Sequence, residues 1–448
     1  MKKKLLVVTA KQISLWGSCK VISSNLQKAY ANLDANDFEI KFVSIDKYFE
    51  SKALAEEIEQ LATTVLEYCP DEIVFSDHLP LPNSIIKHLL FFIKKNSLPV
   101  LVFHIYGDFT FCASEWFKLG EMLAGCRVRM IVASESQKKL VRYFLENSDC
   151  LDKYLFPVDS SQYYFNEEER QNFRRENNIR DHEQIILYTG RVSLQKNVDL
   201  LISNYVKMCK ATPFPVKLWI VGSFDDLGAE FQGINTREGY MFSKIQKLLE
   251  NLPEIVTSSI KFWGHQEKET LRKLYNASDM FMSLSLYHDE DFGMSPAEAL
   301  SCGLPTLLTD WGGYSSFASS NRWYAQLVDV DITEYGLEIN AGQILKFFKE
   351  QGLSYINKND RMRWSDAFSS AFSIEGSNGE LVEIFKKPAK AFKGFNLHLS
   401  QFSAYYWGYR RGNELNLKLS PSSDSYYSNI YSNYISRLTV NREEKCQE

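Results

Sequence analysis

Short apolar runs alternate with amphipathic stretches over most of the chain. In the first third, Leu5–Thr9, Glu39–Ser44, Glu72–Ser76, Val100–His104, Met130–Ala133 and Tyr154–Phe156 read as buried strands. Between them, Ser23–Ala31, Ala53–Tyr68, Ser84–Asn96, Cys112–Ala124 and Ser136–Glu146 read as helices. This alternation predicts a parallel sheet with helices on both faces. A charged stretch, Asn166–Arg180, follows and by itself is a solvated helix. The pattern then restarts. Strands are predicted from Ile185 to Gly190, at Val216–Val221, Ile260–Trp263, Met280–Leu286, Pro305–Thr309 and Leu327–Val330. Helices are predicted from near Val198 and at Thr270–Ala277, Gly342–Glu350 and Gly379–Phe385. The fold class is therefore α/β, with two Rossmann-like, doubly wound domains at 1–165 and 166–387. Residues 388–448 form an additional tail, too rich in Tyr and Phe for a disordered linker and expected to pack on the body or on a partner.

The most informative stretch is Asp279–Gly313. It reads strand, loop, helix, strand, loop, which is a βαβ unit. Ser295 is placed to cap the helix, with Pro296 at its first position and Glu298 three residues after the cap. Gly303 and Pro305 end it. Ligands of parallel sheets bind beyond the carboxyl ends of the strands. Here that edge is the loop 287–294. The helix N-terminus behind it suits a phosphate, and Gly293 lets the backbone come close to a ligand. Glu290 and Glu298 flank the turn with seven residues between them. Two readings of each acidic feature stand side by side. Glu298 is either a ligand-binding carboxylate or the partner of a capping box. Asp289-Glu290-Asp291 is either a metal-like acidic triplet or an exposed acidic loop.

Upstream, the strand ending at Gly190 leads into Arg191 and Lys196. Two cations at the carboxyl end of a strand suit a diphosphate, Arg as a fork and Lys as a point charge. Gly222 marks a second ligand-facing turn. In the first domain His104 closes a strand, followed by Gly107 and Asp108. It reads either as a core histidine or as a group facing a reacting centre.

Glu290-Asp-Phe-Gly-Met-Ser-Pro-Ala-Glu298-Ala-Leu-Ser-Cys-Gly303 resembles the E-x7-E signature of retaining glycosyltransferases of family 4, the glycosyl transferases group 1, which have the GT-B fold. Gly190-Arg191-x4-Lys196 resembles the G-R-x4-K motif of the same family, with Asn197 where Gly is common. The resemblance implies two Rossmann-like domains facing across a cleft, the acceptor on the first and the donor on the second. It implies that Glu298 holds the ribose of a nucleotide-sugar and that Glu290 lies near the donor sugar and its phosphates. Arg191, Lys196, Glu290 and His104 are the expected catalytic set. Glu298, Phe292, Gly293, Met294, Ser295, Gly190, Gly222 and His265, with Gln266, are the expected donor-binding set. The chain departs from the family after its first strand. The loop AKQISLWGS offers only Gly17 and Ser18 where the family has a Gly-rich turn.

Composition narrows the rest. A net charge of −5 over 448 residues does not suggest a nucleic-acid binder. The eight cysteines are scattered without metal-ligand spacing, which predicts reduced thiols and no zinc module. The N-terminal apolar run stops at Ala10, too short for a signal peptide, and no run is long enough to span a membrane. A cytoplasmic location is expected. Two basic stretches with interleaved aromatics, Lys87–Lys95 and Lys386–Phe395, are either solvated faces or peripheral contacts with the inner face of the membrane. The expected donor is a UDP- or GDP-sugar, used as substrate with no required cofactor or metal. The expected acceptor is a glycan, a lipid-linked group or a protein. The rival readings are a degenerate GT-B subunit that binds without turnover and another GT-B activity, such as a phosphorylase or an epimerase.

Overall fold

The computed structural model describes residues 2–10, 17–45, 52–76, 81–107, 109–110, 112–211, 216–226, 238–288, 290–318, 322–333, 336–350, 358–403 and 430–437. Asp108, Asp289, most of the loop after the first strand and the tail tyrosines of 404–429 lie outside the described residues.

The first part of the chain runs β1 (Lys3–Ala10), α1 (Gly17–Ala31), β2 (Phe38–Ile45), α2 (Lys52–Tyr68), β3 (Glu72–Phe75), α3 (Leu81–Phe92), β4 (Val100–Ile105), α4 (Ala113–Leu123), β5 (Arg127–Val132), α5 (Glu135–Phe144) and β6 (Leu151–Lys153). These strands pair in parallel in the order β5-β4-β3-β1-β2, with β6 also parallel on β5. Leu5, Leu6 and Val7 are fully buried, as expected for a strand covered on both faces.

The second part runs α6 (Glu167–Glu176), β7 (Gln184–Thr189), α7 (Val198–Ala211), β8 (Val216–Val221), α8 (Tyr240–Glu250), α9 (Glu254–Thr257), β9 (Ile260–Gly264), α10 (Lys268–Ala277), β10 (Met280–Ser283), α11 (Met294–Ser301), β11 (Thr306–Thr309), β12 (Ala325–Val328), β13 (Val330–Thr333), β14 (Gly336–Ile339), α12 (Ala341–Glu350) and α13 (Lys358–Phe372). A six-stranded parallel sheet has the order β12-β11-β10-β7-β8-β9. The β13–β14 hairpin is a separate antiparallel pair that the sequence pattern does not signal.

The chain then continues through α14 (Ile374–Lys386) and β15 (Lys390–Ala391). Compact unit 1 is Met1–Pro157 with Phe372–Gly412, and unit 2 is Val158–Ala371 with Asn413–Glu448. The sequence pattern instead puts the boundary at 165 and keeps everything to 387 in the second domain. The difference comes from packing. The Ser373 hydroxyl accepts the Gly376 N–H at 3.0 Å and starts α14 five residues earlier than predicted. Ser377 then meets the Tyr154 hydroxyl at 3.0 Å, and Lys3 Nζ donates to the Phe385 carbonyl at 2.5 Å. β15 pairs antiparallel with β5. Other predicted elements shift by a few residues. The strand predicted at Tyr154–Phe156 forms at Leu151–Lys153, and the one predicted to run to Leu286 ends at Ser283.

The return segment closes on the first unit through Phe395. Its ring lies 6.1 Å from Phe109, 6.3 Å from Trp116 and 5.5 Å from Phe392. A Cβ on Gly120 would stand 2.7 Å from the Phe395 ring, so α4 is shaped to receive it. Phe395→Ala is expected to destabilise unit 1 by about 3 kcal/mol, read as an earlier urea transition. A change within about 0.5 kcal/mol, as at an exposed site, would contradict this packing.

Candidate active site

The site follows from the order of the second sheet. The chain moves from β7 to β8 and β9 on one side, then returns to the other side of β7 at β10. The loops after β7 and β10 therefore diverge, which opens a crevice at the carboxyl edge. The first loop carries Gly190 to Asn197 and the second Leu284 to Gly293. Asn197 Nδ2 donates to the Leu284 carbonyl at 2.9 Å, and Ser285 Oγ donates to the Gln195 carbonyl at 3.4 Å. Between these two bonds Lys196 Nζ meets Glu290 Oε2 at 2.5 Å.

Both cations are held by carboxylates. Arg191 pairs with Asp225 and donates to Gln195 Oε1 at 2.8 Å. Its side chain stays 30% exposed, while those of Lys196 and Glu290 are 19% and 8% exposed. Asn197 adopts φ 51°, the left-handed conformation that Asn tolerates, and this turns the chain from the short 3₁₀ turn Leu194–Lys196 into α7. At the ends of β7 and β8, Gly190 and Gly222 sit back to back. A Cβ on Gly222 would lie 1.9 Å from the Gly190 carbonyl oxygen, so the close approach requires glycine.

The helix α11 begins differently from the sequence expectation. Its N-cap is Gly293, at φ 102°, and no side chain caps it. Ser295 lies inside the first turn, so the predicted capping box with Glu298 does not form. Glu298 is buried. Its Oε2 accepts the Tyr275 hydroxyl at 3.0 Å, and the Tyr163 hydroxyl also bonds to the carboxylate. Tyr275 in turn meets Thr189 Oγ1 at 2.7 Å, which ties Glu298 to the end of β7. Burial raises the Glu298 carboxyl to about 7, because the hydroxyl bonds and the distant Lys268 only partly offset desolvation.

The remaining predicted residues fall on both sides of the line between site and scaffold. Gly293 presses on the Tyr314 ring, where a Cβ would approach to 2.5 Å. Phe292 is buried edge-on against Phe317, centroids 5.0 Å apart. Met294 is also buried. His265 lies beyond β9 with its side chain 74% exposed, 3.8 Å from Glu267. Gln266 Nε2 is turned back onto the Trp263 carbonyl at 2.6 Å. His104 belongs to the other unit. It is fully inside β4, paired in register with Ile131, and its Nε2 meets the Tyr30 hydroxyl at 2.6 Å. Burial lowers its pKa to about 3, so the ring is neutral. This environment is that of a core histidine, with Nδ1 buried and without a hydrogen-bond partner among the described residues.

Among the described residues, no group of three or more His, Cys, Asp or Glu side chains is placed to hold a metal ion. Glu290 and Asp291 turn to separate partners, Lys196 and Tyr434. Tyr275, Asp225 and Tyr434 are site-building residues that sequence reasoning misses.

Residues 169–328 match the model of the family described as glycosyl transferases group 1. The chain is 32% identical over 146 residues to an uncharacterized glycosyltransferase of Methanocaldococcus jannaschii, an alignment covering 33% of this chain and 32% of that protein. It is 29% identical over 131 residues to the D-inositol 3-phosphate glycosyltransferase of Segniliparus rotundus, covering 29% and 26% respectively. The chain thus spans about a third or less of the length of these curated relatives. In structure, the Anabaena protein HepE in complex with UDP-glucose superposes with a TM-score of 0.59 at 13% identity, over 86% of this chain and 99% of that one. The fold is GT-B, with two Rossmann-like units.

The Glu298 environment has a pH signature. Its folded pKa lies above the unfolded carboxylate value, so the folded state binds the proton more tightly. The resulting stability is present below about pH 4.5 and is lost as pH rises through about 7. Glu298→Gln is therefore expected to be more stable than the wild type at pH 8, by up to about 3 kcal/mol. The gap should close as pH approaches 5. Parallel thermal melts check it, and a gap independent of pH would contradict the assignment.

Proposed function

We propose that the protein is a retaining glycosyltransferase that moves a hexose or N-acetylhexosamine from a nucleoside-diphosphate sugar to an acceptor. The observation that carries this reading is the Lys196–Glu290 pair, set beside Arg191 at the switch point of the second sheet. It lies within the segment that matches the glycosyl transferases group 1 model. Negative charge grows on the diphosphate as the anomeric bond breaks. Arg191 would meet it as a fork, Lys196 as a point charge, and the N-terminus of α11 with its dipole. Each cation already has a carboxylate that fixes its position, so an incoming diphosphate finds it in place. Glu298, lined by the hydroxyls of Tyr275 and Tyr163, suits the ribose diol. Glu290 would sit against the donor sugar. Positive charge then comes from the protein, and turnover is expected to continue in EDTA. Retention of configuration rests on the E-x7-E resemblance.

A UDP-sugar is placed ahead of a GDP-sugar, in keeping with the UDP-glucose complex of the structural neighbour. The acceptor is a glycan, a lipid-linked group or a protein, and the location is cytoplasmic. Peripheral attachment to the membrane is also part of the proposal. Phe91 and Phe92 are exposed at the end of α3, next to exposed Lys87, Lys94 and Lys95. Among the described residues, no helix is long and apolar enough to cross a membrane.

The test is a panel of UDP- and GDP-sugars, read as thermal shift and as nucleoside diphosphate release with and without EDTA. Selective stabilisation and metal-independent release are expected. Arg191→Ala and Lys196→Ala should each lower kcat by about 100-fold or more with the fold intact. Near-normal turnover in either purified variant would sink the assignment. Vesicles containing anionic lipid should retain the protein at low salt and release it at high salt. Failure to co-sediment with them at low salt would remove the membrane contact.

A further inference from the structure

The tail returns to the second unit at residues 430–437. Ile430, Tyr431, Tyr434 and Ile435 are all buried there. The Tyr431 ring stacks on Trp311 at 6.2 Å and 19°, and Tyr434 meets the same indole edge-on at 5.4 Å. Past the rings, the backbone N–H groups of Ser436 and Arg437 donate to the two oxygens of Asp310 at 3.1 and 3.3 Å. Arg437 also donates to the Val330 carbonyl at 2.7 Å and pairs with Asp329 and Asp331. A segment more than a hundred residues downstream in sequence is thus anchored at both ends beside β11.

A hydrogen bond ties it to the Glu290 loop. The Tyr434 hydroxyl donates to Asp291 Oδ1 at 2.7 Å, and Asp291 is a buried carboxylate directly after Glu290. The loop backbone is pinned from the same side. Gly313 N–H donates to the Glu290 carbonyl at 2.6 Å, and Trp311 Nε1 donates to the Tyr287 carbonyl at 2.7 Å. A Cβ on Gly312 would stand 2.3 Å from the Glu290 carbonyl oxygen and 3.2 Å from the Tyr434 ring, so loop, glycine and tail pack as one layer.

We propose that residues 430–437 are a positioning strap for the Glu290 loop, with Tyr434 acting through Asp291. Its catalytic consequence rests on the glycosyltransferase reading above. Glu290 holds Lys196, so a turn of the Asp291 backbone displaces both the carboxylate and the cation. Misplacement by about 1 Å at a reacting centre costs up to about 100-fold in rate. A buried carboxylate that loses a donor drives such a movement, because its charge must find another partner or water. Tyr434 is a positioning residue and needs no contact with substrate.

The experiment uses the full chain with Tyr434→Phe, Asp291→Ala and the double variant. The phenyl ring of Tyr434→Phe preserves the packing on Trp311 and removes only the hydroxyl. Donor turnover, thermal melts and amide hydrogen exchange are measured on each. For Tyr434→Phe, kcat is expected to fall about ten-fold with the donor KM within about two-fold of wild type. Exchange in peptides covering 287–293 should quicken about ten-fold while β7 and β8 stay protected. The double variant should match Asp291→Ala, because the proposal routes the effect of the hydroxyl through that carboxylate. Wild-type kcat and exchange in Tyr434→Phe would overturn the strap. So would additive losses in the double variant, or a loss of activity that merely follows a lower melting temperature with exchange raised throughout. If the wild type turns over no donor, the activity reading falls by itself. Exchange at 287–293 then still decides the strap: selective quickening upholds it and unchanged exchange overturns it.

Discussion

The second unit is built around one contact, the ion pair between Lys196 and Glu290. A partly buried ion pair adds little net stability, because desolvation consumes most of the Coulomb gain. What it does provide is register. It sets the loop after β7 against the loop after β10, two segments that the sheet topology drives apart. The pair works only if both backbones are already held. Asn197 and Gly222 do this on the lysine side, through a left-handed turn and a close approach of two strand ends. On the glutamate side Gly312 and Gly313 do it, by leaving no space between their backbone and that of 290–292. Gly222, Gly312 and Gly313 are thus required by the close approach of another backbone segment.

Most of the sheet was legible in the sequence because its strands are covered on both faces. Near-continuous apolar runs bounded by polar turns mark such strands within a residue or two, as at Val216–Val221. Arg191, Lys196, Glu290 and Glu298 were singled out by the resemblance to the G-R-x4-K and E-x7-E motifs, and the structure brings Lys196 and Glu290 together. What stayed hidden depends on contacts between distant segments. Tyr275 reads as one more apolar position of α10, yet its hydroxyl joins Thr189 to Glu298. Tyr434 lies 143 residues from its partner Asp291. Nothing local to α14 says which sheet it serves, and the chain's return to unit 1 follows from Ser377, Phe385 and Phe395.

Two local signals were outvoted by tertiary structure. Ser295-x-x-Glu298 is a proper capping sequence, but Gly293 takes the cap because its missing Cβ lets the loop pack on Tyr314. That shift frees Glu298 from the backbone and turns its carboxylate toward Tyr275. His104 looked like a strand-end residue because the apolar run weakens there. In the structure β4 continues to Ile105, and the imidazole remains in the core with Tyr30 and Tyr154.

The two glutamates of the motif therefore live in opposite environments. Glu290 faces a cation, and its charge is balanced within the protein. Glu298 faces hydroxyls, and its charge is only partly met, which is why burial lifts its proton affinity. A carboxylate in that state gains most from further hydroxyl donors, since each added bond favours the charged form. In the proposed reaction a ribose would supply such donors. Its binding would then favour the charged form of Glu298. The same eight-residue step along the chain thus separates a carboxylate paired with Lys196 from one bonded to the hydroxyls of Tyr275 and Tyr163.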